Sequence, residues 1–557
     1  MNAPTASART EVDAIDPHVH QRRWLILGVL CTSLLIIVMD NTILNVAIPS
    51  LIRDLGASNS EIQWIIDAYV LVFAGLLLTT GSLSDRFGRK GALQLGLVLF
   101  TLGSIASALA DSAEQLIFTR AFMGIGGALI MPSTLSILTN VFRDPRERGR
   151  AIAIWAGFSG LAVAIGPITG GFLLEHFSWS SVFWINVPIA TIAFVLGMFI
   201  IPKSRDPRQS KLDPLGAVLS IVGLASLLYG IIEGPNKGWS SDHVVVAFSI
   251  AAVTLASFVL WERYTASPML DMSLFKNPRF TAASSTITLV FFALFGSMFL
   301  ITQYWQLVHG YSAFETGVRL LPHAATMMIV APLSARIVER VGTKKVVLTG
   351  LMLIMVGLVL LSTLEPLSPY PRVITYFCIM AAGMGMTMAP ATESVMGSLP
   401  REKAGVGSAV NDTTRQVGGA LGVAIIGSAV TSVYASRIGS LSASYGLDQS
   451  KTDAAESSLG AAQRVAGELG ERGASFLADA NQVFVDSMAI GLRVAVVVIA
   501  IAAVMAWRFL PARATTPAAT PEESAAGDVA LEASDVTAAP PAAVTFAIRD
   551  EGTVSRA

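Results

Sequence analysis

Long apolar runs alternate with short polar connections along most of the chain. Fourteen of these runs approach the roughly 20 residues that a helix needs to cross the hydrocarbon core of a membrane. They are too long and too uniformly apolar for the strands of a membrane barrel, so we predict an all-α membrane protein. The predicted spans are 24–48, 63–83, 92–110, 115–138, 150–173, 180–201, 212–233, 243–262, 281–304, 317–338, 345–364, 372–396, 404–431 and 488–510.

The composition supports this interpretation. Charged residues make up only 14% of the chain, whereas a soluble domain carries about 25%, which argues against an ordinary cytosolic enzyme. The net charge of −1 argues against a nucleic-acid-binding protein, which would show a basic stripe. Cys31 and Cys378 both lie in apolar runs, so neither a disulfide framework nor a cysteine metal site is expected.

The distribution of Lys and Arg predicts the orientation. They favour alternate connections by about six to one, and basic connections stay in the cytoplasm. We therefore expect both termini in the cytoplasm and the spans in a bacterial inner membrane. The first run follows a polar leader without a small-residue cleavage site, which favours a retained helix over a signal peptide.

Three segments fall outside the predicted membrane body. Residues 1–21 are polar, and we expect a disordered cytoplasmic N-terminus. Residues 511–557 are rich in Ala, Pro, Thr and Glu, a composition that cannot bury a core, so a disordered cytoplasmic tail is expected. Residues from about 436 to 487 are predicted to form an external loop, in which 454–480 is a candidate surface helix.

An internal repeat divides the spans into two sets. GSLSDRFGRKGAL after the second run aligns with ARIVERVGTKKVVL after the tenth, which places Asp85 opposite Glu339 and Gly88 opposite Gly342. Because the two segments occupy equivalent membrane turns, we predict two six-helix halves with a transport path at their interface. The predicted N-terminal half is 22–203, the C-terminal half is 266–510, and an inserted helix pair is 204–265.

Several motifs carry a family resemblance. They are MDNTILNVAIP in the first span, GSLSDRFGRK after the second, LIFTRAFMGIGGA in the fourth, AIGPITGG in the fifth, and the landmarks WSSVFWINVPIA and WERYTASPMLDMSLF. Together they resemble the 14-span drug:proton antiporter branch of the major facilitator superfamily, over about residues 24–510. The resemblance implies the major facilitator fold and transport by alternating access. The sequence lacks a G-x-x-x-x-G-K-[ST] phosphate loop, which argues against direct use of ATP.

Ionisable residues inside the first half are candidates for proton coupling. Asp40, Asp67 and Arg120 all fall in the outer layer of their predicted spans. A charge at this depth is costly and marks a functional group. We expect Asp40 to gain and lose a proton in each cycle while Arg120 tunes it. The alternatives are a packing hydrogen bond between Asp40 and Asn41 or Asn45, and attraction of a cationic substrate by Asp67.

In the second half, Asp412 and Arg415 share one face of the thirteenth span. One interpretation is a structural pair in which the two charges neutralise each other. The other is that Asp412 is a second coupling or substrate-binding carboxylate. The sequence leaves both open.

The connection after the second span matches the segment that acts in the family as a latch for the outward-facing state. Its glycines allow two helices to approach closely, and Asp85 is suited to accept hydrogen bonds at a neighbouring helix start. We expect Arg86, Arg89 and Lys90 to stay at the inner membrane surface, and the alternative is a plain cytoplasmic anchor. The latch residues are Gly81, Asp85, Arg86, Gly88, Arg89 and Lys90.

The fifth span carries the antiporter motif of the family. Pro167 removes a helix hydrogen bond, and Gly166, Gly170 and Gly171 allow close helix packing. The resemblance implies a seal between the halves that limits leak. The family usually has a further glycine where Ala162 stands, and an ordinary proline kink is the alternative.

Aromatic residues of the ninth span are candidates for a drug-binding cavity. Soft apolar groups suit a polyspecific pocket. An interfacial aromatic belt is the alternative for those near a span end. The candidates are Phe291, Phe295, Tyr304 and Trp305.

These observations predict a proton-coupled multidrug efflux antiporter rather than an enzyme. We expect a monomer in the lipid bilayer that exports small lipophilic compounds, cationic or neutral, in exchange for protons. No cofactor other than the proton, no metal and no nucleic acid are expected. The alternatives are export of a self-made metabolite or lipid, and a receptor or scaffold that moves nothing. A scaffold would need neither Asp40 nor the Gly166-Pro167 seal.

Overall fold

All regular structure in the described part of the chain is helical. The computed structural model describes residues 17–55, 59–204, 213–266, 268, 270–399 and 403–511, and fourteen helices in these ranges are long and apolar enough to cross a membrane. The helices are α1 Pro17–Leu55, α2 Asn59–Phe87, α3 Arg89–Ala108, α4 Ala113–Val141, α5 Pro145–His176, α6 Ser181–Ile200, α7 Pro214–Lys237, α8 Asp242–Tyr264, α9 Pro278–Gln303, α10 Ala313–Val341, α11 Thr343–Leu361, α12 Tyr370–Met396, α13 Ala404–Ser444, α14 Gln449–Ser457, α15 Leu459–Glu468 and α16 Gly473–Phe509.

The fourteen predicted spans are confirmed, since α1 to α13 and α16 each cover one of them. Two predicted segments outside the membrane body have wrong bounds. The helix of the first span already begins at Pro17, inside the leader expected to be disordered. The expected external loop at 436–487 is helical at both ends, because α13 continues to Ser444 and α16 begins at Gly473. Residues 512–557, which hold nearly all of the expected disordered tail, lie outside the described residues.

Two hydrophobic cores organise the bundle. The first lies mainly among α1 to α6 and includes Tyr69 and Phe100. The second lies mainly among α9 to α16 and includes Phe280 and Phe377. Below, the first half denotes α1 to α6, and the second half denotes α9 to α13 with α16.

The two halves repeat the same glycine contacts. A Cβ on Gly96 would lie 2.9 Å from the carbonyl oxygen of Gly126, where α3 crosses α4. A Cβ on Gly350 would lie 2.6 Å from the carbonyl oxygen of Gly383, where α11 crosses α12. Gly88 and Gly342 take φ of +117° and +89° at the tight turns before α3 and α11, a conformation that favours glycine. The glycine spacing and the turns both support the repeat found in the sequence.

The bundle has two faces. The Asp85 face carries the start of α1, the end of α6, the α2–α3 turn and the α4–α5, α8–α9, α10–α11 and α12–α13 connections. The opposite face carries the α1–α2, α3–α4, α5–α6, α7–α8, α9–α10 and α11–α12 connections. On the opposite face, α14 and α15 form a small cap with the ends of α13 and α16. In this cap, the Tyr445 hydroxyl donates to Asp479 at 2.7 Å, and Gln463 donates to the Leu307 carbonyl oxygen at 2.6 Å.

The inserted helix pair rests on the seam between the halves. Helix α7 packs against α2 and α13, and α8 packs against α7. The connection that follows α8 is ordered by acidic side chains, since Glu262 accepts from the Leu270 amide at 3.0 Å. Asp271 accepts from the Ser273 amide at 2.9 Å and lies 3.8 Å from the Lys403 ammonium, just before α13. The hydrogen bonds from Ser273 and the charge of Lys403 lower the pKa of Asp271.

Replacing Gly350 with alanine tests the close crossing of α11 and α12. The added methyl group would overlap the Gly383 backbone, so we expect the purified protein to lose roughly 1–3 kcal/mol of stability and to melt at a lower temperature. Gly28→Ala is the matched control, because this helical glycine has open space around its Cβ direction. Alanine favours a helix, so the control should melt at or above the wild-type temperature. Equal melting temperatures for the two variants would contradict the proposed crossing.

Candidate functional site

The Asp85 carboxylate joins the two halves. It accepts hydrogen bonds from the backbone amides of Gly405 at 2.8 and 2.9 Å and of Val406 at 3.2 Å, at the first turn of α13. The amides of a first helical turn lack partners inside the helix, and the helix dipole there favours an anion. The approach requires glycine, because a Cβ on Gly81 would lie 2.7 Å from the Gly405 carbonyl oxygen. The acidic residue and the glycine of the sequence motif therefore act in one contact.

The other predicted latch residues divide into two groups. Arg89 donates to Asp85 at 2.8 Å and is only 2% exposed, so at the start of α3 its side chain is covered by protein. It is buried because it neutralises the carboxylate that α13 covers. Lys90 instead donates to the Met198 carbonyl oxygen at 2.7 Å, and the Arg86 guanidinium lies 5.4 Å from the ring centroid of Phe87.

Two ion pairs also cross between the halves on the Asp85 face. Arg148 of α5 makes a bidentate pair with Glu393 of α12, with nitrogen–oxygen distances of 2.7 to 3.1 Å. Arg150 of α5 lies 3.0 Å from Glu339 of α10. Glu339 is the residue that the repeat aligns with Asp85. The pairing of Glu393 with Arg148 could not be predicted from the sequence, because no local pattern reveals it.

A buried polar network lies in the half of the bundle nearer the opposite face. Arg120 forms an ion pair with Asp40, and both side chains are fully buried. The Arg120 Nε donates to the Ile65 carbonyl oxygen at 3.2 Å, and its guanidinium lies 4.4 Å from the Tyr69 ring centroid. Arg120 stands seven residues into α4, which is about 10 Å from the helix start at 1.5 Å per residue.

Asn186 completes this network. Its amide donates to the second carboxylate oxygen of Asp40 at 2.8 Å and to Ser104 at 3.2 Å. Ser104 in turn donates to the Phe183 carbonyl oxygen at 2.8 Å. Asn186 was not singled out from the sequence, although an asparagine inside the apolar run of WSSVFWINVPIA was a usable signal.

The structure brings only part of the expected acid–base layer together. Asp40 and Arg120 meet, but Asp67 is half-buried elsewhere on α2 and is not a partner of Arg120. The Asn41 amide donates to the Ile37 carbonyl oxygen, and the described hydrogen bonds to Asp40 come from Arg120 and Asn186. The Asn45 side chain lies outside the described part of the chain.

A second buried group lies near the middle of the membrane. The Arg415 guanidinium lies 4.8 Å from the ring centroid of Trp155 on α5 and 5.4 Å from that of Phe291 on α9. Arg415 donates to Thr392 at 3.2 Å. It stands eleven residues into α13, about 16 Å from the helix start, which is near the centre of a 30 Å hydrocarbon core.

Asp412 lies one turn before Arg415, but the two do not form an ion pair in the described structure. Asp412 accepts from Asn411 at 3.2 Å, and its other carboxylate oxygen is buried without a hydrogen-bond partner among the described residues. Each charge still stabilises the other without direct contact, so the two interpretations of Asp412 both remain open. Spacing of three residues allows a contact, but Arg415 points to the aromatic rings instead.

The glycine–proline motif of α5 lies between α1 and α10. A Cβ on Gly166 would lie 2.8 Å from the Thr42 Cβ, and one on Gly170 would lie 2.7 Å from the Ile43 Cγ1. On the other side of α5, a Cβ on Gly171 would lie 2.7 Å from the Phe314 Cβ. The motif therefore keeps one helix of the first half in close contact with a helix of the second half.

The same contact continues at the proline of the motif. Pro167 faces Gly317 of α10, where an added Cβ would lie 2.8 Å from the proline ring. Both residues are small or compact at the crossing, so the two backbones approach without an intervening side chain.

The four candidate cavity residues have different environments. Tyr304 and Trp305 are fully buried in the core of the second half, where the Tyr304 hydroxyl donates to the Glu365 carbonyl oxygen at 2.7 Å. The prediction that they line an open cavity is wrong in this conformation, because core packing covers both rings. Phe291 and Phe295 stack with centroids 5.7 Å apart, and Phe295 is 44% exposed.

Within the described residues, no group of three or more His, Cys, Asp or Glu side chains is arranged to hold a metal ion.

Comparisons with known proteins agree with this architecture. The chain is 36% identical to the multidrug efflux pump LfrA of Mycolicibacterium smegmatis over 84% of this chain and 92% of that protein. It is 32% identical to the methyl viologen resistance protein SmvA of Salmonella typhimurium, over 87% of this chain and 98% of that protein. It is 34% identical to the tetracenomycin C resistance and export protein of Streptomyces glaucescens, over 75% of this chain and 77% of that protein.

Solved structures and a family profile give the same fold. A bacterial homologue of the human lysosomal transporter Spinster, in an inward-facing and unoccupied conformation, covers 91% of this chain with a TM-score of 0.55 at 19% identity. The human organic anion transporter MFSD10 covers 87% of this chain with a TM-score of 0.55 at 15% identity. The profile of the Major Facilitator Superfamily matches residues 30–423. The predicted all-α fold and family are confirmed, and the chain belongs to the major facilitator superfamily.

Proposed function

We propose that this protein is a proton-coupled multidrug efflux antiporter of the bacterial inner membrane, which exports small lipophilic compounds, cationic or neutral. The names of the relatives LfrA and SmvA support drug efflux. The observation that carries the coupling mechanism is the fully buried Asp40–Arg120 pair with its Asn186 partner. A carboxylate with this environment exchanges a proton only if the helices around it rearrange.

The Asp85 face is assigned to the cytoplasm, because the connections on that face carry most of the Lys and Arg. Asp85, Arg148 and Arg150 all make cross-half contacts on that face. In the described conformation the two halves are therefore joined on the cytoplasmic side.

Protonation of Asp40 from outside starts the inward transition. The proton removes the negative charge that balances Arg120, and a buried charge without its partner costs about 3–5 kcal/mol. This cost favours a rearrangement of α1 and α4, because the contact between Asp40 and Arg120 holds these two helices together. In the inward-facing state Asp40 releases its proton to the cytoplasm, and the pair re-forms. Each cycle thus moves one Asp40 proton inward while a drug leaves.

Asp412 is the second carboxylate of the mechanism. It lies near the membrane centre, and one of its oxygens is buried without a described hydrogen-bond partner. A cationic drug gives this oxygen a partner, and so does a proton when the site is empty. Drug and proton therefore compete for Asp412.

Asp40→Asn tests the coupling group. Asparagine neither takes up nor releases a proton here, so we expect at least a tenfold loss of gradient-driven drug efflux. Efflux of a fluorescent dye from cells and dye-driven proton movement in vesicles measure the effect. Asp242→Asn removes an exposed acid on the opposite face and should leave both readouts unchanged. Asp40→Glu keeps a carboxylate and should retain part of the activity. Wild-type efflux and proton movement in Asp40→Asn would exclude Asp40 as the coupling group.

Asp85→Ala tests the latch. It removes the acceptor of the Gly405 and Val406 amides at the start of α13, and a hydrogen bond from each amide to a charged acceptor is worth about 1.5–3 kcal/mol. We expect the Asp85 face of this variant to open at least about ten times as often as that of the wild-type protein. The measurement is the alkylation rate of Gly149→Cys, at a position that lines a cavity between α5 and α10, in a Cys31→Ala, Cys378→Ala background.

Glu339→Ala is the matched control for the latch, since it removes the repeat-related acid from a partly exposed ion pair. Partly exposed pairs contribute about 0–1 kcal/mol, so the alkylation rate should change by no more than about fivefold. An equal or larger effect of Glu339→Ala would contradict the special role of Asp85.

Pro167→Ala tests the seal. The change restores a helix hydrogen bond and removes the ring that faces Gly317, which loosens the α5–α10 contact. We expect a faster proton leak into vesicles without drug and less drug exported per proton. Pro322→Ala removes an exposed proline inside α10 and serves as the control. If vesicles with Pro167→Ala and vesicles with Pro322→Ala leak protons at the same slow rate, the seal does not lie at Pro167.

A further inference from the structure

An arginine occupies an aromatic slot at the interface of the two halves. The Arg415 guanidinium lies over the ring of Trp155, on α5, and over that of Phe291, on α9, at 4.8 and 5.4 Å from their centroids. The space that it occupies against these two rings is called the Trp155–Phe291 slot. Arg415 and Trp155 are buried, and Phe291 is half-buried. One wall of the slot thus belongs to each half, and its occupant is a flat, delocalised cation.

Few polar groups hold this arginine. It donates to Thr392 at 3.2 Å, and its Nε is buried without a hydrogen-bond partner among the described residues. The charge of Asp412, one turn away on α13, and the faces of the two rings therefore stabilise its guanidinium. Cation–π contacts strengthen when the cation is desolvated, as it is here.

We propose that the Trp155–Phe291 slot is the binding site for planar aromatic cations, and that Arg415 is a tethered competitor that fills the slot when no substrate is bound. This inference rests on the proposed drug efflux and specifies the substrate class of the central site. A planar aromatic cation has the features that the slot already accepts in Arg415, which are flatness, delocalised charge and weak hydration. Asp412, one turn away, supplies the negative charge.

The tethered occupant explains how a site in hydrocarbon remains filled. An empty slot against two rings in a dry interface would be a void that loses packing contacts with both rings. Arg415 swings out when a substrate enters and returns when it leaves, so the slot alternates between two cations. Its displacement also frees a guanidinium within reach of Asp412 on the same helix face. A bulky, non-planar cation does not fit against both rings and should not compete with Arg415.

The test measures binding to the full-length protein in lipid nanodiscs. The planar probe is ethidium and the non-planar probe is tetraphenylphosphonium, each of charge +1. Removing the competitor with Arg415→Ala should tighten ethidium binding roughly 3- to 30-fold, the range set by one or two cation–π contacts. Tetraphenylphosphonium binding should change less than twofold.

A double-mutant cycle shows whether the gain passes through the slot. Trp155→Ala should weaken ethidium binding, and in the Trp155→Ala background Arg415→Ala should give no gain. Arg319→Ala is the matched control, because Arg319 also lies over two rings, those of Tyr311 and Tyr370, but near the opposite face. It should leave ethidium affinity unchanged.

The inference is overturned if Arg415→Ala leaves ethidium affinity unchanged or lower, if the gain survives Trp155→Ala, or if tetraphenylphosphonium gains equally. If Arg415→Ala does not fold, Arg415→Gln keeps a side chain that can bond Thr392 but removes the cation, and the same outcomes apply. Wild-type protein that binds and exports neither probe would overturn the proposed drug efflux itself. Wild-type export of both probes without a gain in Arg415→Ala would overturn only the competitor role.

Discussion

The ion pair between Asp40 and Arg120 sets the main constraint on this bundle. A charged side chain in hydrocarbon is costly, so the helices that carry these residues must keep them together or rearrange. The structure meets this demand with α1 and α4 in direct contact, Asn186 on the second carboxylate oxygen and the Tyr69 ring against the guanidinium. In the proposed mechanism a proton on the carboxylate leaves the Arg120 charge unbalanced, and this drives the rearrangement of α1 and α4.

A rearrangement at Asp40 can change the contacts between the two halves only if each half moves as a rigid unit. The glycine crossings of α3 with α4 and of α11 with α12 bring backbones into direct contact, so neither pair can slide without steric overlap. Gly96 and Gly350 occupy equivalent positions in the repeat, so the same close helix crossing occurs once in each half. Strain from a change at Asp40 is therefore directed to the interface between the halves, where ion pairs join them on the Asp85 face.

The sequence predicted the spans, the family and most residues of the latch and seal, because these depend on local composition and short motifs. Span lengths follow from apolar runs, and the contact of Asp85 with a helix start follows from its motif. Contacts between distant segments were not accessible in this way. Glu393 meets Arg148, and Arg415 turns to Trp155 rather than to Asp412, because the packing of α5 against the second half decides both. Tyr304 was misjudged since an aromatic residue near a span end suits a pocket, a belt or a core equally well.

The contacts between the halves differ in polarity at different depths of the bundle. The polar contacts lie where water can reach the separated groups, and the apolar contacts lie where it cannot. On the Asp85 face they are hydrogen bonds and ion pairs between groups that water can solvate when that face opens. Along α5 and α10 they are glycine and proline contacts, which lose only packing and suit a seam that stays closed to ions. At the centre of the membrane, polar contacts that water could replace would not be stable when the halves separate, because water solvates the Trp155–Phe291 slot poorly. No glycine or proline is among the described residues that form this slot. A cation attached to the protein fills that position, and a cation from outside is the natural replacement. The chemistry of the central contact thus links the closing of the two halves to the kind of molecule that they carry.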